Sequence, residues 1–494
     1  MRKLIEYSLI TSLLVFLVFA CDDPKDEDNE NDPQDTVRTE AEKIRDSLGL
    51  SKSETIMINS WISENMNLYY YWYQHIDVDV SPAEEPDPSR YFQYFLYEPD
   101  RWSYISGDYE SVFSELQGTP KSHGYDPSFY LKEKNSNEIL MFINFVYPGS
   151  PAERAGLERG DLVLTINGEQ LTTNNYINLY NQESQQLGLA EVVREDQGGG
   201  QPVNVTIQPG DEVISTTKEV IITDPILADT VLHIDGKKIG YLAYMKFLTG
   251  ENDQFLDSLD KVFKKFNDEN INELILDLRY NPGGSISSAS YLASSIVPSQ
   301  HANKDEKLIK VEYNEPYEDY ILNEEDLGEE YLYYFFRSVD ENADIDKLYC
   351  LTTSNTASAS ELIIVGLKPY MEVVTIGEET TGKFYGSSAF YDRNEPREHD
   401  YVMFPIIFKY ENVEGFPMQF GGLTPDHQVR DIQIDARPFG DTADPMISKA
   451  LSLSGLKRYK AATTPFTVHE LERIEKAAAP LDNLIIEEIP GIND

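Results

Sequence analysis

The stretch from Ile139 to Gly168 leaves the chain little choice of local structure. Ile139-Leu-Met-Phe-Ile-Asn-Phe-Val146 is apolar, rich in branched and aromatic residues, and reads as a buried strand. Pro148-Gly149 then turns the chain, Ser150 caps a short helix through Ala155, and Gly156 ends it. Leu162 to Ile166 forms a second strand, and Asn167-Gly168 is suited to a type I′ hairpin turn. Gln197-Gly-Gly-Gly-Gln201 reads as a hairpin tip between Glu191–Arg194 and Val203–Ile207, which extends this β-rich module over residues 118–212.

The flanks read differently. Residues 40–117 carry a helical pattern rich in aromatics, with Ile58, Trp61, Ile62, Asn65 and Tyr69 at spacings of three and four. The run Leu68-Tyr-Tyr-Tyr-Trp-Tyr73 fits the core of a small helical domain better than a sugar-stacking surface. Over 213–460, strands alternate with helices, as in an α/β core. Ile239–Tyr244 and Leu274–Leu278 are strands, and Phe255, Leu256, Leu259, Val262, Phe263 and Phe266 mark one face of a helix between them. Residues 305–346 read as an acidic, irregular insertion. Residues 461–494 form a C-terminal tail with a helix expected over 468–479.

The amino terminus predicts export. Arg2 and Lys3 precede an apolar stretch from Leu9 to Ala20, and Val18-Phe19-Ala20-Cys21 has the form of a lipobox, with the thiol of Cys21 as the site of lipidation. Residues 1–21 are therefore expected to be a lipoprotein signal peptide, anchoring the mature chain to the membrane of a bacterial envelope. Residues 22–35 hold eight acids, one base and no apolar side chain, so 22–39 is expected to be a disordered tether. It resembles acidic export signals of Bacteroidetes lipoproteins. Cys350 is then a lone thiol, and no internal disulfide is expected. The formal charge of −45 and the lack of a basic run argue against a nucleic-acid partner. No His/Cys/Glu group has zinc-site spacing and there is no phosphate loop, so neither metal nor nucleotide is expected.

Three segments of the α/β region carry candidate chemistry. Asp277-Leu-Arg-Tyr-Asn-Pro-Gly-Gly284 runs a strand into a glycine turn whose amides can approach a charged oxygen. Leu351-Thr-Thr-Ser-Asn-Thr-Ala-Ser-Ala-Ser-Glu-Leu362 puts Ser358 at a helix start, where it serves either as a nucleophile or, with Glu361, as a capping box. Ile376-Gly-Glu-Glu-Thr-Thr-Gly-Lys383 ends a strand in a glycine-flanked lysine. Ser–Lys pairs are a variant of the serine-hydrolase arrangement. His399 and His427 are alternative bases, without a motif around either.

Together these residues resemble the C-terminal processing (tail-specific) serine protease family, and the 139–168 pattern resembles its PDZ domain. The likeness covers roughly residues 115–460. It implies a multidomain α/β protein: a helical N-terminal domain, a PDZ-like module and a crotonase-like protease core over 213–460. It implies Ser358 as nucleophile, Lys383 as a general base that is neutral in the free enzyme, and amides of Ala359 with Gly283 or Gly284 as the oxyanion hole. Ser360 is the competing nucleophile, disfavoured by its spacing to Lys383. Where several members carry an orienting glutamine, this chain has Ser387. The loop His123-Gly-Tyr-Asp-Pro-Ser128, with Gly124 and Tyr125, is the expected peptide-binding site. The resemblance implies as substrates proteins with unstructured C-terminal tails, and no cofactor. The alternative is a catalytically silent, lipid-anchored peptide-binding scaffold.

Overall fold

The computed structural model describes residues 38–486, apart from 134, 196–202, 325–326, 417–420, 432–433, 435, 457–465, 468–473 and 475–484. The Cys21 leader, most of the acidic tether and the 197–201 hairpin tip lie outside these residues, as does the expected 468–479 helix except for Ile474. Among the described residues, no helix is long and apolar enough to cross a membrane.

Leu274, Ile275 and Leu276 are wholly buried, because their strand is covered on both faces. That strand, Glu273–Asp277, lies inside a six-stranded sheet ordered Ile226–Ile234, Lys237–Tyr244, Glu273–Asp277, Lys347–Thr352, Glu372–Gly377 and His427–Gln428. The first two strands form an antiparallel hairpin and the others run parallel. All six apolar residues read from its periodicity are buried in the helix Gln254–Glu269, and Leu256, Leu259, Val262, Phe263 and Phe266 join the main core with Leu242, Leu274 and Leu276 of the sheet.

A second six-stranded sheet follows the order Gly284–Ser285, Ile485–Ile486, Tyr385–Ser387, Ile406–Asn412, Lys307–Tyr313 and Tyr333–Phe335. The helix Ala359–Leu367 lies within the main apolar core that these sheets share. Residues 305–346, expected to be irregular, supply the strand Lys307–Tyr313 and the helix Glu315–Asn323. Leu308, Ile309, Val311 and Tyr313 are buried there, so a few apolar residues outweigh the acidic composition around them.

The β-rich module has its own core, including Ile139, Met141, Ile143, Val163 and Leu187. The strands Ile139–Val146 and Leu162–Ile166 form as read, the Ser150 hydroxyl accepts from the Glu153 amide, and Asn167 and Gly168 both have positive φ. Long strands Ser184–Glu195 and Val203–Thr217 pair antiparallel on either side of the hairpin tip.

The N-terminal helix Lys52–Tyr69 opens with a capping box between Ser51 and Glu54. Its buried face is Thr55, Ile58, Asn59, Ile62 and Met66, so Trp61, Asn65 and Tyr69 flank that face instead of forming it. The aromatic run after it packs inward. Tyr70 is fully buried, and Trp72 and Trp102 lie against Tyr385 with ring centroids 4.9 and 5.4 Å away. This part of the chain therefore covers the strand that follows Lys383.

Candidate active site

The parallel strand Lys347–Thr352 ends beside the turn Tyr280–Gly284, and the chain then wraps that turn before entering the helix. The Thr356 hydroxyl donates to the Leu278 carbonyl at 2.8 Å, and the Ala357 amide donates to the Asn281 carbonyl at 3.2 Å. The Ser360 hydroxyl donates to that same carbonyl at 3.0 Å. These contacts bring Ser358 and Gly283 together: a Cβ built on Gly283 would stand 2.6 Å from the Ser358 Cβ, so only glycine fits.

Ser358 has φ 61° and ψ −118°, a strained conformation for a residue with a side chain. Its amide donates to Glu361 Oε2 at 2.9 Å, one half of the expected capping box, while its hydroxyl is buried without a hydrogen-bond partner. The competing serine, Ser360, has its hydroxyl committed to the backbone.

Glu361 is wholly buried and joins the serine to the lysine. Its Oε2 also accepts from the Lys383 amide at 2.9 Å, and its Oε1 accepts from the Gly382 amide at 2.8 Å and from the Thr380 hydroxyl. Burial pushes its carboxyl up, against the four hydrogen bonds that favour the anion. The carbonyl side is joined as well. The buried Tyr410 hydroxyl lies 2.8 Å from the Ser358 carbonyl and 3.2 Å from the Lys383 carbonyl, its one proton shared between them. One carboxylate and one phenol therefore fix the spacing of the two backbones.

Lys383 is wholly buried, and burial brings its ammonium down to about 7, against the opposing pull of Asp100 and Glu361. Asp100 comes from the N-terminal region, where it accepts from the Tyr70 hydroxyl and from the Trp102 and Ser103 amides. Sequence reading missed Asp100, since nothing in its own segment marks it. Ser387 is buried on the strand after the lysine, and its hydroxyl has no hydrogen-bond partner. Buried polar groups are nearly always hydrogen-bonded, so each exception calls for an explanation.

Among the expected oxyanion donors, the Gly283 amide already donates to Asn281 Oδ1 at 2.9 Å. Gly284 sits in a short strand and Ala359 opens the helix, where amides lack intrahelical acceptors. Behind the turn, Arg279 is buried among three carboxylates, at 2.8 Å from Asp277, 2.8 Å from Asp444 and 3.2 Å from Asp431. Arg159 of the β-rich module donates to the Tyr280 hydroxyl at 3.0 Å, which links that module to the glycine turn.

The histidines have other partners. His399 packs on Trp61 with centroids 4.7 Å apart, and its Nδ1 accepts from the Tyr401 amide at 3.2 Å. His427 lies on the edge strand of the first sheet. In the β-rich module, Gly124 has φ 86°, and the Tyr125 side chain is buried with its hydroxyl 2.7 Å from Gln185 Oε1. Tyr125 thus belongs to the module's core.

A wholly buried lysine, a serine in a strained conformation and a glycine turn thus converge in one part of the α/β core. Residues 238–429 match Peptidase family S41, residues 142–179 match a PDZ domain, and residues 57–104 match the Peptidase S41 N-terminal domain. The protease core and the N-terminal region thus resemble peptidase family S41, with a PDZ domain between them. It is 27% identical over 311 residues to the carboxyl-terminal-processing protease of a Picosynechococcus species, covering 62% of this chain and 64% of that one. It is 26% identical over 345 residues to a Staphylococcus aureus protein named "Probable CtpA-like serine protease", covering 68% of this chain and 57% of that one. The chain thus spans less than two thirds of these curated relatives. A Bacteroides fragilis structure assigned to the S41 proteases superposes with a TM-score of 0.64 at 24% identity, over 80% of this chain and 97% of that one, and shows the shared fold.

Proposed function

We propose that the chain is a serine endopeptidase that cleaves proteins near unstructured C-terminal tails, with Ser358 as nucleophile and Lys383 as base. The observation that carries this reading is the shared clamp: Glu361 Oε2 holds both amides, Tyr410 holds both carbonyls, and Lys383 is buried with its pKa near 7. A neutral amine is able to accept the serine proton as the hydroxyl attacks the peptide carbonyl. The amides of Ala359 and Gly284 meet the oxyanion, since Gly283 is engaged by Asn281. The lysine ammonium then returns its proton to the departing amine, and water releases the acyl group by the same route. The PDZ module supplies strand backbone to which an extended peptide tail adds. The envelope location, with a lipid on Cys21, belongs to this proposal and rests on the leader sequence.

The test uses an unstructured, apolar-tailed protein as substrate. Ser358→Ala is expected to lower kcat by at least about 10³-fold, as removal of a nucleophile does. Ser360→Ala keeps the nucleophile and is expected to remain active, with a modest loss of stability from its missing hydrogen bond. Equal activity in Ser358→Ala and the parent would overturn the assignment, and an inert parent would favour the silent scaffold.

The pH profile is an independent check. Only the neutral lysine acts as base, so kcat/KM is expected to rise with pH through about 7 and level off above it. A rate that climbs only near 10 would show a solvated lysine instead.

A further inference from the structure

The second sheet is continuous because the chain fills a gap in it with its own C-terminal segment. The strand Ile485–Ile486 pairs in parallel with Gly284–Ser285 on one side, Ile485 opposite Gly284 and Ile486 opposite Ser285. On its other side, Ile486 is opposite Ser387. Its two neighbours are the glycine turn proposed to hold the oxyanion and the strand that follows Lys383. Paired strands lie about 4.8 Å apart, so these flanks stand roughly 10 Å from each other, the room that one extended peptide takes.

The same segment meets the PDZ module twice. The Ile474 amide donates to the Phe129 carbonyl at 3.0 Å, on the strand Tyr125–Leu131 that follows the His123–Tyr125 loop. The Ile474 side chain packs against that module's core. Phe466–Thr467 pairs in parallel with Val203–Asn204 at the far edge of the same sheet. One segment thus adds strand backbone to the PDZ module and to the gap between Gly284–Ser285 and Tyr385–Ser387, which we take as the substrate cleft; an extended substrate would dock at both.

We propose that this C-terminal segment is a ligand in cis, occupying the PDZ strand edge through Ile474 and the cleft through Ile485–Ile486, and competing with substrates for both. The proposal rests on reading the cleft as that of a peptidase. Tethering gives the segment a high effective concentration, of the order of millimolar for a short linker, so even weak pairing holds it in place. The pairing in the cleft spans two residues, few enough for a longer substrate strand to displace it. Its sequence defines the ligand class as an extended peptide with adjacent branched apolar residues.

The test keeps the full chain. Proline lacks the amide that a strand donates, so Ile474→Pro and the double change Ile485→Pro with Ile486→Pro unseat the segment at each end without touching the proposed catalytic groups. With a short fluorogenic apolar peptide, each variant is expected to show KM lowered about three- to tenfold and little change in kcat, as loss of a competitor with millimolar effective concentration requires. An unchanged KM in both variants would overturn the proposal. Release of the segment by the parent but not by Ser358→Ala would also overturn it, because the segment would then be a consumed substrate. If no chain hydrolyses any peptide, the peptidase reading fails, and amide hydrogen exchange in full-length Ser358→Ala still decides occupancy. Exchange at 474 and 485–486 slowed at least about tenfold, and restored by excess peptide of sequence 464–494, supports it. Free exchange at all three residues sinks it.

Discussion

Lys383→Met is expected to abolish turnover and to leave a chain more stable than the parent at neutral pH. The loss of kcat should be at least about 10³-fold, because the base and the nucleophile act together. The gain in stability follows from burial. The unfolded lysine is protonated up to about 10.5, whereas the folded one has a pKa of about 7. A lowered lysine pKa penalises the folded state: the penalty is full below pH 7, falls as pH rises from 7 to 10.5, and is absent above that. A tenfold weaker hold on the proton corresponds to about 1.4 kcal/mol, so relief of the order of 2–4 kcal/mol is expected near pH 7. Methionine fills much of the space and carries no charge. Denaturant unfolding of parent and variant at pH 6, 8 and 10 checks this, with the gap between them closing as pH rises. A variant less stable than the parent at pH 7 would mean that Lys383 is held by pairing strong enough to outweigh its desolvation.

Arg279→Met is expected to be the most damaging single change in the protease core, by roughly 3–5 kcal/mol, because it strands buried carboxylates without a counter-charge. Asp277 is fully buried, and Asp444 is 4% exposed. Burial pushes the Asp444 carboxyl up, yet Arg279 beside it holds it below its ordinary value. That contribution is present at neutral pH and is lost as pH falls through the lowered value. The neutralising partner change Asp444→Asn, made together with Arg279→Met, should cost less than the sum of the two single changes. The Thr353 hydroxyl donates to the Arg279 carbonyl and Tyr280 precedes the glycine turn, so activity should fall along with stability. Thermal unfolding of the four chains of this cycle measures the coupling, and strict additivity would mean that Asp277 and Asp431 neutralise the arginine without Asp444.

Local signals marked the elements of the site well. Ser358 stands at a helix start and Lys383 in a glycine-flanked loop after a strand, where the sequence pattern put them. Glu361 was legible only as a helix cap, because S-x-x-E is a local motif. Its second bond, to the Lys383 amide, joins residues 22 apart and has no signature in either segment. Tyr410 and Asp100 were silent for the same reason: each acts through a partner brought close only by the fold. The aromatic run at 68–73 had a composition that fits either a sugar surface or a core, and packing on Tyr385 decided between them.

Sequence alone determined the kinds of elements and their order, since strand, turn and cap preferences act over a few residues and are written where they act. It marked a β-rich module, an α/β core and the three segments that bear a glycine turn, a serine and a lysine. Only tertiary structure decided which serine is unpartnered, which glycine amide is already engaged, and that burial lowers the lysine. Tertiary structure also decided that residues 485–486 of the C-terminal segment complete the second sheet between Gly284–Ser285 and Tyr385–Ser387. Two residues of strand have no periodicity to read, and their place is set by the vacant edges of Gly284–Ser285 and Tyr385–Ser387, which exist only after the rest of the chain has folded.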